Sequence, residues 1–257
     1  MGTVTTNESL KSFEITKDSE YIVSGGFVGS VGIHRVTDGN LMGDFTFDLK
    51  IKSVEFSYGD EYILFLGDKF SDYTKSMIYV FKWSDLLNKV LNKKDITEND
   101  ALYSREFDNG MLCKGKFGLM DNRIYFATET GYIKIISLDL REILFEEKVA
   151  NKEVMCLNFS QRYEFLIMTH WDGYKILDPQ NLKTISSYKT IFPMNCAQVS
   201  PLMDGDQIKK PHILMGGGVQ ARDIALAKVF HFSKFLKIKN RKVVRIFYRS
   251  IWFMGNY

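Results

Sequence analysis

Short apolar segments separated by polar turns recur along the chain at nearly regular intervals. Five of them end in a bulky apolar residue, and these residues are 43, 61, 42 and 40 positions apart. The anchors of the repeat are Phe13, Phe56, Phe117, Phe159 and Val199. Each anchor is followed by a polar turn and then by an apolar run, at residues 21–26, 62–67, 123–128, 164–169 and 212–217. This pattern predicts a repeat built of short β-strands.

Two further segments complete most units, so that each unit holds four short strands. The run after the turn is continuously apolar, which is typical of a strand that has neighbours on both faces. Four strands per unit predict an all-β protein, a β-propeller of four-stranded blades with about five blades recognisable. The blades are predicted near residues 8–50, 51–110, 111–151, 152–192 and 193–228, followed by an atypical basic segment at 229–257.

The long interval in the second unit indicates an insertion at residues 84–110, between its third and fourth strands. Apolar side chains at 86, 87, 90 and 91 would line one face of a short helix, with Ser84 as its N-cap. A mobile loop is equally compatible with the sequence, because short helices are marginal on their own. Insertions on one face of a repeat protein can mark a binding surface.

The composition argues against several classes of protein. Of 257 residues, 45% are hydrophobic and 25% are charged, as in ordinary globular proteins. No run approaches the roughly 20 apolar residues that span a bilayer, and the first residues lack the features of a secretory signal. Three widely spaced cysteines (Cys113, Cys156 and Cys196) fit a reducing compartment. We therefore expect a cytoplasmic protein without membrane association.

Charge is distributed unevenly along the chain. The 34 Lys and Arg nearly balance the 31 Asp and Glu, yet no acidic residue follows Asp223, whereas eight basic residues do. Such an end suits a solubilising tail, or contact with nucleic acid or an anionic surface. The tail is favoured, because no nucleic-acid motif accompanies the charge and no direct nucleic-acid site is identified.

Candidate catalytic chemistry is sparse. Glu14 and Glu55 occupy equivalent first-strand positions, where a carboxylate pair is conceivable for glycoside hydrolysis. The other three blades offer no carboxylate there, which favours solvated strand ends instead. The glycines at 216–218 lack the Gly-Lys-Ser/Thr ending of a phosphate loop, and the four histidines lie in separate units without metal-ligand spacing. We expect no enzyme activity, no cofactor and no metal.

Several motifs resemble those of WD40 repeats. Leu138-Asp139 and Leu177-Asp178 stand where such repeats carry Trp-Asp, although no Gly-His dipeptide occurs. More specific are residues 51–64 and two later stretches, Met-Asn-Cys-Ala-Gln-Val-Ser-Pro-Leu at 194–202 and Ile-Leu-Met-Gly-Gly-Gly-Val-Gln-Ala-Arg-Asp at 213–223. In order and separation these resemble the family of eukaryotic translation initiation factor 3 subunit I, a WD-repeat scaffold. The resemblance covers roughly residues 8–228 and implies a WD40-like β-propeller.

That family has seven blades, and the five recognised in this sequence resemble its second to sixth. The expectation is therefore a chain that lacks the first and last blades of the family pattern. Either an open propeller with exposed strand edges or closure on five blades is compatible with the sequence.

The resemblance also implies function and partners. The chain is expected to be a non-catalytic scaffold that binds subunits b and g of initiation factor 3 and supports recruitment of mRNA and initiator tRNA to the small ribosomal subunit. The family's partner-facing Leu-x-Asp corresponds to Ile176 and Asp178, and Arg162 stands at an acidic position of the family. Alternatives are a five-bladed propeller that binds or hydrolyses a carbohydrate, and a WD40 adaptor in another complex.

Overall fold

The structure of the chain is a computed structural model, which describes residues 9–108, 111–160, 163–190, 193–199, 212–217 and 223–228. The basic segment predicted at 229–257 and the site residue Arg162 lie outside the described residues. The chain divides into two compact units, Met1–Glu153 and Val154–Tyr257, and each is described by itself.

The first unit contains three four-stranded sheets, each ordered as its strands follow in the chain and antiparallel throughout. The first sheet comprises β1 (Leu10–Ile15), β2 (Tyr21–Gly26), β3 (Ser30–Arg35) and β4 (Leu41–Thr46). The second comprises β5 (Lys50–Phe56), β6 (Tyr62–Asp68), β7 (Lys75–Lys82) and β8 (Tyr103–Asp108). The third comprises β9 (Leu112–Phe117), β10 (Arg123–Thr128), β11 (Tyr132–Ser137) and β12 (Ile143–Lys148).

The second unit contains two further antiparallel sheets, one of four strands and one in which three strands are described. One comprises β13 (Val154–Phe159), β14 (Leu166–His170), β15 (Gly173–Leu177) and β16 (Thr184–Lys189), and the other comprises β17 (Met194–Val199), β18 (His212–Gly217) and β19 (Asp223–Lys228). Five successive antiparallel sheets of this type confirm the predicted fold class, an all-β, WD40-like β-propeller with about five blades.

The second strand of each sheet explains the continuous apolar runs in the sequence. In β6, Leu64, Phe65 and Leu66 are all inaccessible to solvent, because the strand has neighbours along both edges and side chains packed on both faces. Phe47, Phe65 and Phe81 meet at ring-centroid distances of 5.5–5.9 Å in the core of the first unit. Each such buried side chain contributes about 1.5–3 kcal/mol through the hydrophobic effect.

The first anchor predicted from the sequence is wrong by two residues. Phe56 pairs with Ile63 and Phe117 pairs with Ile124, and the corresponding pair in the first sheet is Ile15 with Ile22. The equivalent residue is therefore Ile15. Phe13 is two residues from Ile15 and therefore lies on the same face of the strand. The alternation of apolar and polar residues alone does not distinguish the two positions.

The predicted insertion forms a helix, α1 (Trp83–Leu91), and a 3₁₀ turn at Glu98–Asp100. The suggested N-cap is incorrect: the helix begins one residue before Ser84, its N-cap is Lys82, and no side chain caps it. The face buried in the core is formed by Trp83, Leu86 and Val90, whereas Leu91 is 49% exposed.

Each first strand carries an extra residue near its start, where the pairing register shifts by one. The extra residues are Lys11, Lys52, Cys113, Met155 and Asn195. A bulge of this kind re-aims the side chains around it. In the second sheet it directs Lys52 toward the carboxylates of Asp68 and Glu129.

The turns that follow the first strands are joined in the first unit. The backbone N–H of Lys17 donates to Asp60 Oδ2 at 2.5 Å, and that of Tyr58 donates to Asp121 Oδ1 at 3.1 Å. Asp60 and Asp121 both have left-handed backbones, with φ of 56° and 55°, a conformation that Asp adopts more readily than most residues. The same turn position thus supplies the acceptor in two successive sheets.

Candidate functional site: a polar row on the first strands

The first strands share one polar position that is flanked by apolar residues. The register places these residues opposite Val23, Leu64, Tyr125, Ile167 and Leu214, respectively. We call the set the polar row, and it consists of Glu14, Glu55 and Lys116 in the first unit and Asn158 and Gln198 in the second. The sequence prediction singled out only the two glutamates. The other three members, Lys116, Asn158 and Gln198, each stand directly before the apolar anchor of their repeat. This shared position is the sequence signal that identifies them.

In the first unit the polar row is electrostatically coupled. The ammonium group of Lys116 donates to Glu55 Oε1 across neighbouring sheets, and the Glu55 side chain is only 10% exposed. Burial raises the pKa of Glu55 to about 7, while Lys116 opposes this shift and the negative charge of Glu14 adds to it. Burial also raises the pKa of Glu14, against the effect of Lys116 and with a contribution from Asp60.

In the second unit the same positions form a neutral link. The side-chain amide of Asn158 donates to the carbonyl of Ala197 and to Oε1 of Gln198, both at 2.9 Å. Two adjacent first strands are therefore joined through amides, where the first unit uses an ion pair. The polar row links neighbouring sheets in both units.

The predicted carboxylate pair for glycoside hydrolysis is tied to this network. The negative charge of Glu14 contributes to the raised pKa of Glu55. However, Glu55 is bound by Lys116, which neutralises it and occupies one of its oxygens. A retaining or inverting mechanism needs one carboxyl group that protonates the leaving group and a second that is open to the sugar or to water. The ion pair leaves Glu55 poorly placed for either role.

A second buried cluster lies near the start of β5. The ammonium group of Lys52 lies 2.6 Å from Asp68 and 2.5 Å from Glu129, which joins the second sheet to the segment after β10. Ser76 donates to Asp68 at 2.7 Å and accepts from the N–H of Leu112 at 3.2 Å. This Lys52 cluster pairs one lysine with two carboxylates and connects three chain segments.

The predicted partner-binding residues lie at the end of β15. Ile176 is 3% exposed and packs in the apolar core of the second unit. Asp178 is half-buried, and its carboxylate accepts from the N–H of Gln180 at 2.7 Å and from the amide of Asn181 at 3.2 Å. Asp178 therefore fixes the turn that leads to β16, and its place in partner binding stays a prediction.

Other candidate chemistry is limited in the described residues. Burial raises the pKa of the Cys113 thiol to about 12, so that the thiolate needed for nucleophilic attack is scarce at neutral pH. Across the part of the chain that the structure describes, no group of three His, Cys, Asp or Glu side chains is arranged to hold a metal ion. No helix among the described residues is long and apolar enough to cross a membrane.

Curated proteins similar to this chain carry the name eukaryotic translation initiation factor 3 subunit I. The protein of that name from Dictyostelium discoideum is 24% identical over 219 residues, which cover 85% of this chain and 61% of that protein. For the protein from Caenorhabditis elegans the identity is 26% over 228 residues, covering 87% and 64%. For that from Danio rerio it is 21% over 212 residues, covering 82% and 61%.

The chain thus spans about three fifths of the length of the curated relatives it matches. No protein-family model matches it. The relatives nevertheless share one name across slime mould, nematode and fish. Over most of its length, the chain is therefore similar to eukaryotic translation initiation factor 3 subunit I, the family that the sequence motifs indicated.

Proposed function

We propose that this protein is a non-catalytic scaffold subunit of the eukaryotic translation initiation factor 3 complex. The observation that carries the proposal is the similarity, over 85% of the chain, to a protein named subunit I of that factor. As a scaffold it supports recruitment of mRNA and initiator tRNA to the small ribosomal subunit. The proposed place of action is the cytoplasm.

The architecture supports a binding role more than a catalytic one. Rigid sheets with buried second strands hold their connecting turns in fixed positions, which suits recognition of other proteins by preformed surfaces. In the polar row Lys116 pairs with Glu55, and in the Lys52 cluster the lysine pairs with Asp68 and Glu129. Such charges hold sheets together and are poorly suited to act on a substrate.

The proposed partners are subunits b and g of the same factor. The contact region proposed for them is the end of β15, with Asp178 at the surface, Ile176 beneath it, and Arg162 on the preceding turn. Asp178 retains exposed surface although it fixes its own turn, so that its charge is available to a basic group of a partner. The propeller repeats are proposed to extend over residues 8–228.

An affinity purification tests the proposal. The full chain, tagged and shown to be folded by circular dichroism, is used to capture proteins from the cytosol of its source organism at physiological salt. Recovery of subunits b and g, identified by mass spectrometry, is the expected result. A folded chain that recovers neither overturns the assignment, and a chain that recovers another complex supports the adaptor alternative.

A matched pair of variants tests the contact region. Asp178→Asn keeps an oxygen that accepts from Gln180 but removes the charge, whereas Asp172→Asn removes an exposed charge from the same sheet. Losing one charged pair of roughly 1 kcal/mol lowers affinity about fivefold. We expect that loss for Asp178→Asn and no change for Asp172→Asn. Equal recovery with both variants contradicts a role for Asp178.

A further inference from the structure

Two turns of the third sheet expose apolar side chains at positions that are polar in other sheets. The pairing register places Met120, which is 76% exposed, at the position of Asp18 in the first sheet. Leu140 is 66% exposed and stands where the equivalent turns carry Asp38 and Asn181. Such turns favour Gly, Asn, Asp and Ser. The fold therefore does not require an apolar side chain at either position.

These turns lie beside a turn of the second sheet, at one end of the first unit's sheets. The N–H of Tyr58 donates to Asp121 Oδ1 at 3.1 Å, and the N–H of Leu138 donates to the carbonyl of Asn122 at 2.9 Å. The three turns therefore form one continuous surface. We call it the turn surface, and it comprises residues 57–61, 118–122 and 138–142.

The turn surface exposes four large apolar side chains. Besides Met120 and Leu140, these are Tyr58, which is 55% exposed, and Leu119, which is 52% exposed. One cation already packs on this surface, because the ammonium group of Lys17 lies 4.0 Å from the centroid of the Tyr58 ring. Clustered exposed apolar side chains with a polar rim are typical of surfaces that bind other proteins.

The rim of the turn surface is acidic. Its three turns contain five carboxylates, whereas Arg141 is the one basic residue in their sequence. The acidic residues are Asp60, Glu61, Asp121, Asp139 and Glu142. Glu61, Asp139 and Glu142 are exposed, so that their charges are open to a partner. The charge and the apolar side chains together call for a partner that is both basic and apolar.

We propose that the turn surface binds a basic amphipathic helix of a separate protein. The apolar face of the helix packs on Met120 and Leu140, and its Lys or Arg side chains pair with the surrounding carboxylates. Two copies of this chain that met through the same surface would place carboxylates opposite carboxylates, which opposes association. The surface lies in the first unit, so the proposal does not depend on the contact region proposed at the end of β15.

Fluorescence anisotropy of the full chain with a labelled peptide tests the proposal. The probe is a peptide of leucine and lysine, about 18 residues or five helical turns long, with the leucines spaced along one helical face. We expect saturable binding that weakens as salt is raised, because salt screens the charges. A peptide with glutamate in place of every lysine is expected not to bind. No saturable binding of the Leu–Lys peptide overturns the proposal, as does equal binding of both peptides.

A matched pair of variants tests the apolar part of the contact. Met120→Ser and Leu140→Asn together remove both apolar side chains without changing the charge, and both sites are exposed, so that folding is preserved. We expect the affinity for the Leu–Lys peptide to fall about tenfold or more. Tyr73→Ser alters a 67% exposed side chain in the connection between β6 and β7, at the other end of the sheet, and should leave the affinity unchanged. Equal affinities in the three proteins overturn the proposal.

A second pair of variants tests the charged part. Asp139→Asn and Glu142→Gln together remove two exposed charges of the turn surface and are expected to weaken binding about fivefold at low salt. The difference should vanish at high salt. Glu147→Gln, at an exposed site on β12 remote from the turns, serves as the control. Weakening by Glu147→Gln as large as that by the pair would show that the peptide senses only overall charge, and would overturn the proposed site.

The chain's own basic segment at 229–257 shares the chemistry of the proposed occupant, and a further variant distinguishes the two. Replacing Lys237, Lys239, Arg241 and Lys242 by Gln leaves the turn surface unchanged. We expect the same affinity for the Leu–Lys peptide as in the unchanged chain. A clearly higher affinity would show that this segment competes for the turn surface, and would overturn a separate protein as the occupant.

Discussion

Lys116 on β9 and Glu55 on β5 form an ion pair that joins the second and third sheets of the first unit. Their side chains are 21% and 10% exposed, so that both charges are largely removed from water. Removing one partner of a buried pair leaves an uncompensated charge and costs more than the pair itself contributes. The pair therefore determines how β5 and β9 are positioned against each other, and it adds little net stability.

The raised pKa of Glu55 predicts how stability depends on pH. Its pKa is about 7 in the folded chain, against 4.5 for an ordinary glutamate, so the folded state holds this proton over a range where the unfolded state has released it. This contribution to stability is fully present below about pH 4.5 and is lost as the pH rises through about 7. The free energy of unfolding, measured with urea, is expected to fall over that interval.

The variant Glu55→Gln isolates this contribution, because an amide does not titrate. Its stability is expected to fall less steeply over the same interval than that of the unchanged protein. Glu146→Gln, which alters a more exposed pair with Lys134, serves as the control and should follow the unchanged protein. Identical slopes for all three proteins would contradict the raised pKa of Glu55.

Removing the lysine of the Lys52 cluster is expected to lower stability more than removing the lysine of an exposed ion pair. Lys52→Met leaves Asp68 and Glu129 with their charges close together and the lysine gone, which we expect to cost about 2–4 kcal/mol in the free energy of unfolding. Lys69→Met breaks a more exposed pair with Glu106 and is expected to cost less than about 1 kcal/mol. Urea unfolding at neutral pH measures both. Equal losses would argue that the Lys52 cluster is screened by water like a surface pair.

The strands of this fold can be predicted from the local pattern of apolar residues, whereas the contacts that join neighbouring sheets cannot. The predicted run at 62–67 lies within β6, because a strand enclosed on both faces favours apolar residues along its length. The first anchor was misplaced because Phe13 and Ile15 share one face, and only pairing with β2 distinguishes them. The partner of Glu55 lies 61 residues away, and a long-range pair of this kind leaves no mark in local periodicity.

In the inserted helix α1 the adjacent residues Val90 and Leu91 differ in burial, and this difference gives a further prediction. Val90 is 5% exposed and lies against Gly43, where an added Cβ would come within 2.8 Å of Val90 Cγ1. Val90→Ala opens space in this contact and is expected to destabilise the protein by roughly 1–3 kcal/mol. Leu91→Ala changes a 49% exposed side chain and is expected to shift stability by less than about 0.5 kcal/mol. Similar effects of the two substitutions would show that the helix does not dock through Val90.

The cysteines should differ in reactivity by position. Burial raises the pKa of Cys113 to about 12, whereas Cys196 is exposed. A disulfide reagent such as dithionitrobenzoate reacts with the thiolate, so at neutral pH Cys196 is expected to react first and Cys113 only after unfolding in urea. The variant Cys196→Ser should lose the fast phase and keep the phase that appears on unfolding.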